Sequence, residues 1–130
     1  MRSILAFALM LASGALAPVL ADSQLQGAEA QRLLDGKRFS FNCVNGTTGV
    51  ASYAGQTATA LYRMPSARES DLEENDRGQV QAAGEALCIR WQRLNGGKND
   101  CYKVSAREPG SYRIATPDGR LWCDFTERKG

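Results

Sequence analysis

Leu87-Cys88-Ile89-Arg90-Trp91-Gln92-Arg93-Leu94, then Asn95-Gly96-Gly97-Lys98-Asn99-Asp100, then Cys101-Tyr102-Lys103-Val104 is the stretch whose reading decides the fold. Leu87, Ile89 and Trp91 alternate with Cys88, Arg90 and Gln92, and Tyr102 and Val104 alternate with Cys101 and Lys103. A period of two marks a strand with one buried face. The intervening Asn and Gly residues tolerate positive φ, so the two strands form a hairpin.

The same signals recur on both sides. Lys37–Cys43, Thr47–Tyr53 and Thr57–Arg63 read as strands, joined by an Asn45-Gly46 pair of the type I′ kind and by Ala54-Gly55-Gln56. Asn45-Gly46-Thr47 is also a glycosylation sequon, but the turn reading is favoured. Pro65–Asp76 is charged and poor in apolar residues, and reads as one long loop. A short strand over Gly78–Ala82 leads into the hairpin. Glu108-Pro109-Gly110 and Pro117-Asp118-Gly119 then turn into Ser111–Ala115 and Arg120–Thr126. Ser23–Leu34 carries a rough apolar stripe through Leu25, Ala28 and Leu33 or Leu34, and Asp35-Gly36 ends it as a short helix that Gly27 weakens. The expected fold is all-β with one short N-terminal helix: an up-and-down antiparallel β-barrel of about eight strands.

The cysteines set the closure. Cys43 shares its face with Phe39 and Phe41, and Cys123 with Leu121 and Phe125, so both point inward. Cys88 lies with Arg90 and Gln92, and Cys101 with Lys103 and Ser105, so both point outward. Disulfide geometry needs converging Cβ vectors, which favours Cys43–Cys123 and Cys88–Cys101. The first pairing brings the first and last strands together, and a meander whose ends meet is a closed barrel without edges. The expected inward set includes Phe39, Phe41, Val50, Leu61, Val80, Leu87, Ile89, Trp91, Tyr102, Val104, Tyr112, Ile114, Leu121 and Phe125, enough volume for a filled or nearly filled interior.

Met1-Arg2-Ser3 followed by the apolar run Ile4–Leu16 and Val19-Leu20-Ala21 has the pattern of a signal peptide cut after Ala21. The run is too short for a bilayer span, which needs about 20 residues, and no lipoprotein cysteine follows it. The expected organisation is a signal peptide over 1–21, a helix over 22–36 and one barrel domain over 37–130. An even set of 4 cysteines without C-x-x-C spacing fits disulfides in an exported, periplasmic or secreted domain.

Without Arg2, 15 basic residues face 14 acidic ones, and this near-neutral balance gives no drive toward nucleic acid. The chain contains no histidine, which excludes Ser-His-Asp and Cys-His catalysis. No carboxylate pair, metal-ligand spacing or cofactor motif stands out, so the chain reads as a non-catalytic binding or envelope-associated module. By strand parity Arg90, Lys103, Arg113, Arg120 and Trp122 project outward from four successive strands. They read as a basic surface for an acidic protein or anionic envelope glycan, or as a solvated face with Trp122 covered by Leu33 and Leu34.

Leu87-Cys-Ile-Arg-Trp91, Cys101-Tyr-Lys-Val104 and Gly119-Arg-Leu-Trp-Cys-Asp-Phe125 together resemble small, functionally uncharacterised periplasmic proteins of Gram-negative bacteria with a lipocalin-like build. That resemblance implies a helix preceding a small barrel. Phe41-Asn-Cys-Val-Asn-Gly46 is similar to the opening of the periplasmic inhibitors of c-type lysozyme, which implies inhibition of lysozyme or another hydrolase as an alternative role. The Ser-Gly-x-x-Tyr segment that those inhibitors insert into their target has no counterpart here, and Gly110-Ser111-Tyr112 matches it only superficially.

Overall fold

The central hairpin forms as its alternation requires. In the computed structural model, which describes residues 23–65 and 73–129, Ala86–Trp91 pairs antiparallel with Asn99–Glu108 across a tight 3-10 turn, Leu94–Gly97. Asn95, Gly96 and Gly97 all take positive φ there, the conformation that Asn and Gly reach at least cost. The expected signal peptide over 1–21 lies outside the described residues, as do residues 66–72 of the expected long loop.

Nine strands and one helix are described. In chain order they are β1 (Ser23–Gln24), α1 (Gly27–Leu34), β2 (Arg38–Cys43), β3 (Thr48–Ala54) and β4 (Thr57–Arg63), then β5 (Glu74–Ala83), β6 (Ala86–Trp91), β7 (Asn99–Glu108), β8 (Ser111–Ala115) and β9 (Trp122–Glu127). From β2 to β9 each strand pairs antiparallel with the next, and β9 returns to pair with β2, which closes an eight-stranded barrel. β1 is an extra strand. It pairs with Ser105 and Ala106 of β7, beyond the Asn99–Tyr102 segment that β6 occupies.

Both disulfides follow face parity. Cys43 sits opposite Cys123 in the β2–β9 register, and Cys88 opposite Cys101 in the β6–β7 register, and both pairs are bonded. The Cys88–Cys101 bond lies on the outer face, yet Cys88 itself is buried.

Several boundaries differ from expectation, each for a local reason. The Ser23–Leu34 helix starts only at Gly27, because the backbone of 23–25 instead extends the ladder along β7, ending in a bond from Leu25 N–H to Val104 O. β5 begins at Glu74, so the end of the expected loop is strand, and β7 is longer at both ends than Cys101–Val104. β9 begins at Trp122, two residues after Arg120. The Asn45-Gly46 turn is not type I′, since only Gly46 has positive φ; Gly46 N–H bonds Cys43 O and Thr47 N–H bonds Asn45 Oδ1. Val50 and Leu61 face outward, opposite each other, and Ala51, Tyr53, Ala58, Ala60 and Tyr62 face in. Leu121 is likewise exposed rather than inward.

The helix plugs one end of the barrel. Leu25, Ala30 and Leu34 join Phe39, Leu87 and Val104 in the buried core. Phe39 is fully buried, with Tyr53, Tyr112 and Phe125 at edge-on ring contacts of 5.9–6.2 Å. An eight-residue helix is unstable alone, so this docking supplies its stability. Gly27 is needed for the approach: a Cβ there would lie 2.1 Å from the Ala86 carbonyl oxygen, while Gly27 N–H donates to Gly84 O at 2.9 Å. At the other end of the helix, Gly55 N–H donates to Asp35 Oδ1 at 2.7 Å and Gly36 N–H to Tyr53 O at 2.8 Å.

Two outcomes follow for stability. Leu34→Ala should cost about 2–4 kcal/mol in urea unfolding, as for other buried leucines. Closing the 80-residue separation of Cys43 and Cys123 contributes about 4–5 kcal/mol in the chain-entropy treatment, against about 3 for the 13-residue separation of Cys88 and Cys101. Replacing the first pair by serines should therefore lower the melting temperature more than replacing the second.

Candidate functional site

Small residues open a space inside the half of the barrel opposite the helix. At mid-height the inner wall carries Ala51 on β3 and Ala60 on β4, neither of which fills the centre. Facing them are Phe41, Ile89, Trp91, Tyr102, Ile114 and Phe125. Between these walls lies a cavity of about 190 Å³ that also touches the Cys43–Cys123 bond. The filled interior expected from sequence counted Val50 and Leu61 as inward; their outward placement leaves alanines in their stead.

The mouth is apolar. Met64, Leu94, Leu121 and Trp122 border it together with the polar Asn45, Thr47, Asn95 and Thr116. Met64 and Leu121 are 45% and 40% exposed. A tight turn presents Leu121: Thr116 Oγ1 donates to Asp118 Oδ1 at 2.6 Å, Arg120 N–H donates to the same oxygen, and Thr116 N–H donates to Leu121 O. These bonds hold the Asp118 carboxyl below its ordinary value, the Thr116 hydroxyl contributing most. Asn95 donates to Tyr102 Oη and to Asp100 Oδ2, fixing the opposite lip.

No charged side chain borders the cavity among the described residues. Burial is the main cause that pushes the Tyr102 phenol up to about 12, with Asp100 adding to it, and burial with Tyr102 beside it raises Tyr53 further. Thr47 Oγ1 is the one buried side-chain oxygen or nitrogen among the described residues without a hydrogen-bond partner, and Thr47 lines the cavity.

Asp76 is an inward carboxylate at the same end of the barrel, only 6% exposed. Its oxygens accept from the backbone N–H groups of Arg77, Gln92, Arg93 and Leu94 at 2.8–3.2 Å, which ties β5 to the segment after β6 and so positions Leu94 at the mouth. Burial acts to raise its pKa, but the four backbone bonds outweigh burial and hold it below the ordinary value. Sequence reading missed this residue, since a charge at an inner position hid the start of β5.

The expected basic surface is distributed over three places. Arg113 lies over Trp122, its guanidinium 3.8 Å from the ring centroid, and grips Asp124 through two bonds of 2.8 and 3.1 Å, with Arg107 adding a third at 3.3 Å. The Arg113 bonds are the leading cause that lowers the Asp124 pKa. Lys103 lies opposite Ala115, which lies opposite Trp122, so Lys103 shares their row on the outer face. Arg90 sits opposite Asn99, four residues along β7 from Lys103 and beyond the outer disulfide, beside Arg77, Gln79 and Gln92. Arg120 is in the turn, largely exposed and 3.9 Å from Asp118. The group over Trp122 is thus Arg113, while Leu34 is buried in the core.

Among the described residues no group of three or more His, Cys, Asp or Glu side chains could hold a metal ion, and no helix is long and apolar enough to cross a membrane. Comparison with protein-family models, with curated proteins and with solved structures finds no match.

A pH prediction follows from Asp76. Its depressed native pKa means that its contribution to stability is fully present above the unfolded-chain Asp value of about 3.9 and is lost as pH falls from there through the native value. Asp76→Asn should be less stable at pH 7 by about 2 kcal/mol and should lose part of the wild-type drop in melting temperature on acidification.

Proposed function

We propose that this is an exported, non-catalytic binding module that takes a small apolar molecule into the open end of its barrel. The observation that carries the reading is the aromatic-walled cavity with an apolar, exposed mouth. Exposed Met64 and Leu121 cost solvation free energy in the free protein, and their place at one opening gives them a use in guiding an apolar ligand inward. The volume of about 190 Å³ lies between the roughly 150 Å³ cavity that accepts a benzene ring and the roughly 300 Å³ at which drug-sized pockets begin. A single substituted ring or the end of a short acyl chain fits. The unpartnered Thr47 hydroxyl favours a ligand with one polar group near the mouth.

Two further observations support the reading. The two disulfides and the Ile4–Leu16 leader pattern favour the periplasm or the cell exterior, with cleavage after Ala21. The chain lacks histidine, and the Asp76, Asp118 and Asp124 carboxylates are engaged in turns and clasps, which leaves them structural work.

Toluene, indole and short fatty acids should raise the melting temperature, because a ligand that binds only the native state stabilises it. They should also change the fluorescence of Trp91 on the cavity wall. Ala60→Phe, which fills the space, should abolish both responses. No shift with any of these compounds at millimolar concentration, or an undiminished shift in Ala60→Phe, would overturn the proposal. Lysozyme in the same screen tests the inhibitor alternative.

A further inference from the structure

We infer that the outer surface across β2–β5 carries a second site, a groove that binds an oligosaccharide bearing carboxylate or phosphate groups. It is separate from the cavity and lies on the opposite face of the same wall.

The sheet register builds it. Arg38, Ser52, Thr59 and Arg77 lie in one outward row across β2, β3, β4 and β5, and Ser40, Val50, Leu61 and Asn75 form the next row. Four adjacent strands at about 4.8 Å spacing put the Arg38 and Arg77 backbones roughly 14 Å apart, with two hydroxyls between them. Arg128 is drawn beside Arg38 by its N–H bond to the Arg38 carbonyl at 2.8 Å, and Arg93 reaches the Asn75 carbonyl through its guanidinium. Together these residues border an open groove of about 730 Å³.

Three of its arginines have no ion-pair partner among the described residues. Among the described residues no carboxylate lies within 4.0 Å of the Arg38, Arg77 or Arg128 side chains, whereas Arg107, Arg113 and Arg120 elsewhere all have one. The single acidic residue bordering the groove, Asp76, is buried and spends its oxygens on four backbone N–H groups. Guanidinium groups gathered in excess over the one carboxylate repel one another, and their planar forks match carboxylate and phosphate.

The floor selects the class of partner. Ser52, Thr59, Asn75 and Gln92 offer the donors and acceptors that sugar hydroxyls need, and Leu61, 43% exposed beside Val50, offers an apolar surface for the C–H face of a sugar ring. A peptide adding as an extra strand would need a free strand edge, and β2–β5 are paired on both sides in the closed barrel. No aromatic ring lines the groove, which disfavours stacking nucleobases.

The test is binding of fluorescently labelled oligogalacturonate, carrying carboxylates, and labelled phosphomannan fragments, carrying phosphates, at 20 and 150 mM salt. At least one should bind, more weakly at the higher salt, and the tighter of the two identifies the anion. Arg38→Glu with Arg77→Glu should weaken binding at least tenfold, while Arg120→Gln binds as the wild type does. If the double reversal fails to fold, Arg38→Gln and Arg128→Gln should each lower affinity measurably. Failure of both sugars to bind would overturn the inference. So would equal affinity for polyglutamate or anionic phosphatidylglycerol vesicles, or retention of affinity in every groove variant.

Discussion

Closure of β9 onto β2 is the constraint on which the rest of the structure depends. A meander of short strands in one sheet would leave two long edges, each a row of unpaired backbone groups. Here the Phe39–Cys43 and Cys123–Glu127 segments pair residue for residue, and the Cys43–Cys123 bond locks that register at the end away from the helix. Once the ring is closed, every inner position faces every other. One end can be packed solid with Phe39, Leu87, Val104 and the helix residues Leu25, Ala30 and Leu34, and the other can stay open.

The two ends are therefore chemically unequal. The helix end is held by the close approach of Gly27 to Ala86 and by the bond from Gly36 N–H to the Tyr53 carbonyl. The open end is held by side chains that satisfy loop backbone: Asp76 over residues 92–94, Asn45 in the β2–β3 turn, and Asp118 with Thr116 in the β8–β9 turn. Carboxylates and amides fix the loops, so apolar residues such as Leu94 and Leu121 can be spared for the mouth. Outer and inner faces then diverge in chemistry, with arginines and hydroxyls outside the β2–β5 wall and alanines and tyrosines inside it.

Much of this was legible in the chain. Alternation of large apolar residues in 87–104, and of Phe39 and Phe41 with Cys43, specified strands and faces, and parity of the cysteines specified both disulfides and hence the closed ring. The alternation failed where its residue types mislead. In β3 and β4 the inner residues are alanines and tyrosines while Val50 and Leu61 sit outside, so ranking by hydrophobicity inverts the faces and hides both the cavity and the groove. In β5 the inner Asp76 reads as loop, because a buried carboxylate is explained only by partners 16 to 18 residues away. Arg113 and Trp122 were correctly placed on one face, but their partner Asp124 is visible only from the β8–β9 register.

The central claim is that the barrel is plugged at its helix end and open to a ligand at the other. Backbone amide NMR spectra recorded while toluene is added test it most directly. The account predicts saturable shifts concentrated at Ala51, Ala60, Tyr62, Trp91, Tyr102 and Ile114, with Leu34, Leu87 and Val104 unmoved. Shifts absent from that set, or centred on the helix end or the outer face, would contradict it.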